Sequence, residues 1–366
     1  MPLSAAGRGV NFTERLCAHA GEIYGSFWPG AYIPPGPMLY YFSMSADARK
    51  KYILEVPFYA SPIEHLIELN RLQDIQIVIF GGVPDSPLNG GRFNYALDRF
   101  FLWNRLFLNV TKKQLSKVLS NFYTVVTKAN RNGIPFLLAF TNMFVSREEL
   151  NEKNLRPLAW LVASSQKHGV KNGVILNNKL LENFIRRKYG DKLVYVSSCT
   201  KYYAPDRILT PEERTKMYLR DSEIYDFVCL NPQDSRNTGL LKSVLRAGAG
   251  KITAICNAYC GDRCNSYHHY KYISEENKKI LLAIGMKQTL AGALKMLEVI
   301  VGAFAFIIPR ILTCSAFRAA FCPVNIKKIL ATQLDAGIVN IKLGRGFGDD
   351  SVDQVVAQIL KFERTG

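Results

Sequence analysis

The chain contains 366 residues, of which 48% are apolar and 21% are charged. This composition belongs to a globular protein that can bury a full core, and it excludes long disordered stretches. The 47 lysines and arginines exceed the 30 acidic residues and give a net charge of +17. That excess favours polyanionic partners such as RNA, although dispersed basic residues are also typical of a general solubility property.

The sequence predicts neither an export signal nor a membrane span. Its first residues lack the apolar core of a signal peptide. The apolar stretch 290–312 includes the uncharged run 299–308, which is about half of the roughly 20 residues that a spanning helix needs. We therefore expect a cytoplasmic protein. In that reducing compartment, clustered cysteines more often bind metals or catalyse than form disulfides.

Residues 1–50 are rich in glycine, proline and aromatic side chains, which predicts an irregular lead-in. From residue 51 onwards, short apolar stretches alternate with amphipathic ones. The predicted strands cover residues 52–59, 75–80, 134–140, 173–177, 192–197, 225–230, 252–256 and 338–343. Capping residues and amphipathic spacing predict helices that start near Ser61, Thr111, Ser146, Leu180, Thr210, Asn237 and Ser351.

Eight strands separated by helices predict a (β/α)8 TIM-type barrel over residues 51–366. The strands are apolar on both faces, as buried parallel strands must be. A long cysteine-bearing insertion, 257–335, is predicted between strands 7 and 8. The alternative is a doubly wound open sheet, because the first strand contains Pro57.

Barrel enzymes place their chemistry at the carboxyl ends of the strands. Amide and basic side chains recur there, and they predict a site for a small anionic substrate. The candidate substrate-binding residues are Arg92, Asn142, Asn177, Asn231, Asn257, Lys342 and Arg345. Each has a structural alternative: an asparagine after a strand often forms a turn, and Lys342 could pair with an acid inside the barrel. The sequence identifies no catalytic residue among them.

Cysteines cluster after the seventh strand, where Cys256, Cys260 and Cys264 are each separated by three residues. Cys314 and Cys322 lie in the same insertion. An iron–sulfur cluster commonly takes four cysteine ligands, so these five are the candidate metal ligands.

Two other interpretations of these cysteines remain open. A zinc site would use Cys260, Cys264 and either His268 or His269. Alternatively, the thiols are simply buried, as free cysteines often are. The remaining cysteines, Cys17, Cys199 and Cys229, are predicted to be core or strand residues.

Three segments resemble the U32-peptidase-like family of barrel proteins: Gly81-Gly82 to Gly91-Arg92, Asn257-Ala-Tyr-Cys260-Gly-Asp-Arg-Cys264, and Gly337-Ile-Val-Asn-Ile-Lys342-Leu-Gly-Arg345. The resemblance implies a barrel that holds a 4Fe–4S cluster through Cys260, Cys264 and two further cysteines. It also implies oxygen-independent hydroxylation of an RNA base or a small substrate, with an electron-donor protein as a partner. Asn265 departs from the family pattern, which has proline there.

The sequence thus supports an iron–sulfur barrel enzyme with redox or hydroxylating activity on RNA or a small anionic substrate. Two alternatives belong to other classes of protein. One is a zinc-binding, hydrolase-like or peptidase-like protein, and the other is a non-catalytic RNA-binding barrel that uses the net positive charge.

Overall fold

A computed structural model describes most of the chain beyond the lead-in. The described residues are 51–83, 86–90, 112–247, 251–257, 267–268, 270–272, 274–275, 278, 294, 301, 325–344 and 351–365. The predicted lead-in 1–50 and most of the predicted insertion lie outside them.

Eight parallel strands pair in chain order and close into a barrel, with β8 hydrogen-bonded to β1. The strands are β1 (Tyr52–Pro57), β2 (Ile75–Gly81), β3 (Phe136–Phe140), β4 (Gly173–Leu176), β5 (Val194–Ser197), β6 (Phe227–Cys229), β7 (Ile252–Ile255) and β8 (Asn340–Lys342). The predicted (β/α)8 barrel is therefore confirmed, and the open sheet is excluded. Pro57 is accommodated because it is the last residue of its strand.

Helices follow the strands as the βα pattern requires. Those within the described residues are α1 (Ile63–Leu69), α2 (Lys112–Arg131), α3 (Glu152–His168), α4 (Lys179–Tyr189), α5 (Pro211–Ile224), α6 (Thr238–Arg246), α7 (Ile326–Asp335) and α8 (Ser351–Thr365). Helix α7 falls in the range predicted as insertion, and it packs against α8.

The predicted helix start at Ser146 is wrong. The Glu149 side chain accepts a hydrogen bond from the Ser146 N–H at 2.8 Å, as in a capping box, but the residues between them form an isolated turn. Helix α3 begins at Glu152 because Asn151 caps it, with the Asn151 Oδ1 accepting from the Asn154 N–H. By contrast, the predicted capping box of Thr210 and Glu213 is present at the start of α5.

The strands bury both faces, and the two faces build different cores. Side chains facing the helices belong to the larger apolar cluster, which includes Leu54, Ile77 and Leu138. The barrel interior is filled by a second cluster, composed of Ile53, Val78, Phe80, Leu137, Ala139, Ile175, Val194, Val196 and Phe227. Because side chains alternate along a strand, the polar residues that end the inward rows lie at the carboxyl mouth of the barrel.

No helix within the described residues is long and apolar enough to cross a membrane. The apolar stretch 290–312, for which no span was predicted, lies outside those residues apart from Leu294 and Val301, which are both exposed.

Candidate functional site

The floor of the carboxyl mouth is an ion pair across the seam of the barrel. Glu55 on β1 and Lys342 on β8 occupy paired register positions, and Lys342 Nζ bonds Glu55 Oε2. Both residues are buried, at 2% and 4% exposure. Lys342 Nζ also lies 3.7 Å from the centroid of the Phe80 ring, and Thr253 Oγ1 lies 3.3 Å from Glu55 Oε1.

The structure thus gives Lys342 the acidic partner that was its structural alternative in the sequence. Because Glu55 neutralises it, Lys342 contributes a fixed dipole to the mouth and no net charge. Glu55 was not predicted as a site residue. Its signal is a lone acid inside an otherwise apolar strand, which a buried strand tolerates only if the acid is paired.

Asn231 lies just beyond β6, and the structure leaves half of its side chain unused. The Asn231 Oδ1 accepts from the Asp234 N–H at 2.9 Å, and the backbone N–H of Asn231 donates to the Tyr218 hydroxyl at 3.2 Å. The side chain is fully buried. Its Nδ2 amide nonetheless has no acceptor among the described residues. A buried unpaired donor costs about 1–3 kcal/mol unless something else satisfies it.

Asn257 repeats this arrangement beyond β7. Its Oδ1 accepts from the Gly344 N–H and so joins the end of β7 to the end of β8. Its side chain is 1% exposed, and its Nδ2 also lacks an acceptor in the described part of the chain. Ile255 and Cys229 face the barrel interior. Asn257 and Asn231 each follow two residues later, so strand alternation places them on the same inward face.

Asn142 is buried, but its amide is fully used inside the protein. Its Nδ2 donates to the carbonyl oxygens of Pro87 at 2.8 Å and Ser274 at 3.3 Å. Its Oδ1 accepts from the Phe144 N–H at 2.8 Å. Asn142 therefore holds the loop after β3 in place, and its predicted role in substrate binding stays a prediction.

The insertion after β7 contacts this same loop. Besides the Ser274 contact, Lys278 Nζ bonds the Phe144 carbonyl and lies 2.8 Å from Glu149 Oε2. Strands β3 and β7 lie four positions apart in the eight-strand order, on opposite sides of the barrel. Ser274 and Lys278 of the insertion therefore lie on the side of the mouth opposite β7.

Asn177, after β4, is half-buried, and its Nδ2 donates to Thr200 Oγ1 at 2.9 Å. That bond links the loop after β4 to the loop after β5. The other two predicted substrate-binding residues, Arg92 and Arg345, lie outside the described residues.

Of the five predicted metal ligands, Cys256 can be located. It is fully buried in the apolar cluster between the barrel and the helices, and its N–H donates to the Lys342 carbonyl at 3.0 Å. Burial raises the pKa of its thiol to about 12. Its side chain packs among apolar residues on the helix-facing side of β7, and its role as a metal ligand stays a prediction. Cys260, Cys264, Cys314 and Cys322 lie outside the described residues.

Two further cysteines, which were predicted to be core or strand residues, come together at the mouth. Cys199 follows β5 and Cys229 ends β6, and with Ile255 they form a small buried cluster. Neither thiol is in a disulfide. The inward direction of Cys229 could have been predicted from strand alternation, because Cys229 stands two residues after the inward-facing Phe227.

Comparison with protein-family models finds no match, and neither does comparison with curated proteins. Among solved structures, the chain is similar to that of the U32 peptidase Mk0906. The similarity has a TM-score of 0.39 and 13% sequence identity, and it covers 69% of this chain and 84% of that one. The assignment of the barrel fold depends on the observed strand pairing and not on this similarity.

A cleft of about 600 Å³ opens beside the mouth, between the loop after β5 and the turn after β6. Its lining residues include Ile208, Arg214, Gln233 and Asp234. Arg214 and Asp234 form a buried two-bond ion pair at 2.6 and 2.8 Å, and Tyr218 donates to Asp234 at 2.6 Å. Because these charges neutralise each other, the pair adds no net charge to the cleft.

Proposed function

We propose that the chain is a redox enzyme of the U32-peptidase-like type. In this proposal, the carboxyl mouth binds a small anionic substrate or an RNA base, and the insertion carries a 4Fe–4S cluster. The observation that carries the proposal is the pair of buried amides, Asn231 and Asn257, whose Nδ2 groups lack acceptors among the described residues.

Two unpaired amide donors at the ends of neighbouring strands suit a ligand that presents oxygen acceptors. Carboxylate, phosphate and base carbonyl groups all do so, and each new bond would remove the cost of an unpaired buried donor. The Glu55–Lys342 pair below them is buried and neutral overall. The floor therefore imposes no demand for a charged substrate, which keeps an RNA base within the range of candidates.

The cluster would be held by Cys260, Cys264, Cys314 and Cys322, four thiols of the insertion. Cys256 is left out because its side chain packs in the apolar cluster between the barrel and the helices and not at the mouth. When bound, such a cluster supplies one-electron transfer. The barrel residues would bind and orient the substrate and exclude water, and an electron-donor protein would be the expected partner.

Metal analysis tests the cluster directly. The full chain is purified without oxygen and analysed for iron, sulfide, zinc and visible absorption. We expect iron and sulfide in near-equal amounts, lost in the Cys260→Ala/Cys264→Ala variant and retained in the Cys256→Ala control. Stoichiometric zinc without sulfide would contradict the iron–sulfur cluster and favour the zinc alternative.

Binding measurements test the mouth separately. Asn231→Asp and Asn257→Asp keep the shape and the Oδ1 acceptor of each side chain but replace the donor. We expect each to weaken binding of short RNA or nucleosides by about tenfold, the equivalent of one hydrogen bond. Asn172→Asp is the control, because the Asn172 amide is fully bonded at the opposite end of the barrel.

Salt dependence separates this proposal from a non-catalytic RNA-binding barrel, which the net charge of +17 favours. Binding by dispersed lysines and arginines releases counterions and falls steeply as salt rises. Binding that is steeply salt-dependent and insensitive to both asparagine variants would support that second function and contradict the mouth as the binding site.

A further inference from the structure

Besides the cysteines of the insertion, the chain has two thiols that meet on the inner face of the barrel. Cys229 is the last residue of β6, and Cys199 begins the short 3-10 turn that follows β5. They contact each other and Ile255 in a cluster of their own. Both are buried, Cys229 at 1% and Cys199 at 4% exposure.

The strand register explains why they meet. Ser197 pairs with Val228, which brings Ser198 opposite Cys229 and leaves Cys199 one residue further along. The 3-10 turn then rotates Cys199, and Ser198 holds this turn by accepting from the Thr200 N–H at 3.3 Å. Neighbouring strands lie about 4.8 Å apart and each residue advances the chain by about 3.3 Å, so an offset of one residue keeps the Cα spacing within the roughly 4.4–6.8 Å that a disulfide requires.

The two thiols differ in their electrostatic environment. A hydrogen bond to Cys199 is the largest cause that raises the pKa of Cys229 well above its usual value, and burial adds to it. The positive charge of Lys342 opposes this rise, and Glu55 adds to it. A raised pKa makes Cys229 the weaker nucleophile of the two thiols, which leaves Cys199 as the attacking sulfur of the pair.

Nothing else in the described part of the chain completes a metal site here. Within the described residues, no three histidine, cysteine or acidic side chains are grouped closely enough to hold a metal ion. A tetrahedral thiolate site needs four ligands, whereas a disulfide needs two sulfurs and nothing more.

We propose that Cys199 and Cys229 form a redox-active dithiol that closes to a disulfide at the floor of the mouth, with hydrogen peroxide as a sufficient oxidant. The Cys199 thiolate attacks one peroxide oxygen and breaks the O–O bond, which gives a sulfenic acid and hydroxide. Cys229 sulfur then displaces the sulfenic hydroxyl, and its proton leaves with it as water. Two thiols and one peroxide become one disulfide and two waters, so the step does not depend on the proposed cluster.

Peptide mapping tests this inference on the full chain. The protein is treated with hydrogen peroxide, its remaining thiols are alkylated, and its peptides are identified by mass spectrometry. We expect a linked peptide pair that joins Cys199 to Cys229, in the wild-type chain and equally in the Cys256→Ala control. In the Cys229→Ser variant, the sulfenic acid should accumulate on Cys199 and be trapped by dimedone.

The Cys199→Ser variant should oxidise at Cys229 at least tenfold more slowly than Cys199 oxidises in the Cys229→Ser variant. Equal rates, a missing 199–229 linkage, or protection of both thiols by a bound metal would each overturn the inference. Repeating the experiment in the Cys260→Ala/Cys264→Ala background separates it from the proposed function. The linkage should form there even though any cluster is lost.

Discussion

Asn231 and Asn257 share one relationship to their strand ends: the Oδ1 of each accepts a backbone N–H, from Asp234 and Gly344 respectively, and the Nδ2 of each has no acceptor among the described residues. Asn172 shows the opposite case in an equally buried position. Its Oδ1 accepts from the Phe136 N–H at 2.7 Å, and its Nδ2 donates to Asn130 Oδ1 at 2.8 Å. The same side chain is thus structural at one end of the barrel and partly unused at the other.

This contrast predicts different costs for the same truncation. Asn172→Ala should lower the free energy of unfolding by about 3 kcal/mol, because it strands the Phe136 N–H and part of the Asn130 amide in the core. Asn231→Ala should cost about 1 kcal/mol, because the Asp234 N–H is the main group that it strands. Urea unfolding of both variants measures the difference, and equal costs would show that Asn231 is also a purely structural residue.

The Glu55–Lys342 pair predicts a strong dependence on both partners. Lys342→Met should destabilise the protein by about 3–5 kcal/mol, because it leaves the Glu55 carboxylate buried without its cation. The double variant Glu55→Gln/Lys342→Met should recover most of that loss. Lys51→Met is the control, since Lys51 pairs with Glu363 while 56% exposed and should change stability by less than about 1 kcal/mol. Thermal or urea unfolding decides, and a double variant as unstable as the single one would contradict the prediction.

Gly173 opens β4 at a point where two strands approach closely. A Cβ there would lie 2.5 Å from the Val194 carbonyl oxygen and 2.7 Å from the Leu137 side chain. Gly173→Ala should therefore cost about 1–3 kcal/mol of stability through strain in the barrel. Gly239→Ala in α6 is the matched control, because its Cβ would meet nothing nearer than 3.5 Å. That control should be neutral or slightly stabilising in the same unfolding measurement.

The lowered pKa of Glu213 predicts that part of the stability of the protein is lost in acid. Its hydrogen bonds from Arg207, followed by the Thr210 N–H, lower the pKa of its carboxyl from 4.5 to about 2. A carboxyl with a lowered folded-state pKa stabilises the protein above pH 4.5, and that contribution is lost as the pH falls towards 2. The melting temperature of Glu213→Gln should therefore lie below that of the wild type at neutral pH and converge on it across this window. A constant gap at every pH would contradict the assignment.

The strands were predictable because periodicity and apolar content on both faces are local properties of the sequence. Each observed strand overlaps its predicted range: Gly173–Leu176 lies within 173–177, and β2 runs one residue beyond 75–80. The start of α3 was not predicted correctly, because a capping pattern at Ser146 competes with Asn151 and local sequence cannot rank the two.

Side-chain partners in the mouth were harder to predict than its location. The sequence placed Lys342 at a strand end, but the identity of its partner depends on the pairing of β8 with β1, which only the closed barrel specifies. The same holds for Cys199, whose inward direction follows from a short turn and not from the strand alternation. The iron–sulfur ligands of the insertion remain predictions.

The seam between β1 and β8 also constrains the order of events during folding. Glu55 and Lys342 are 287 positions apart, so theirs is a contact with a high loop-closure cost. As the chain is synthesised, β1 keeps one edge unpaired until β8 has emerged, and an unpaired edge can recruit other chains. Until β8 pairs with it, the carboxylate of Glu55 protects that edge of β1, because a charged, inward-pointing side chain discourages pairing with any strand that lacks the complementary lysine.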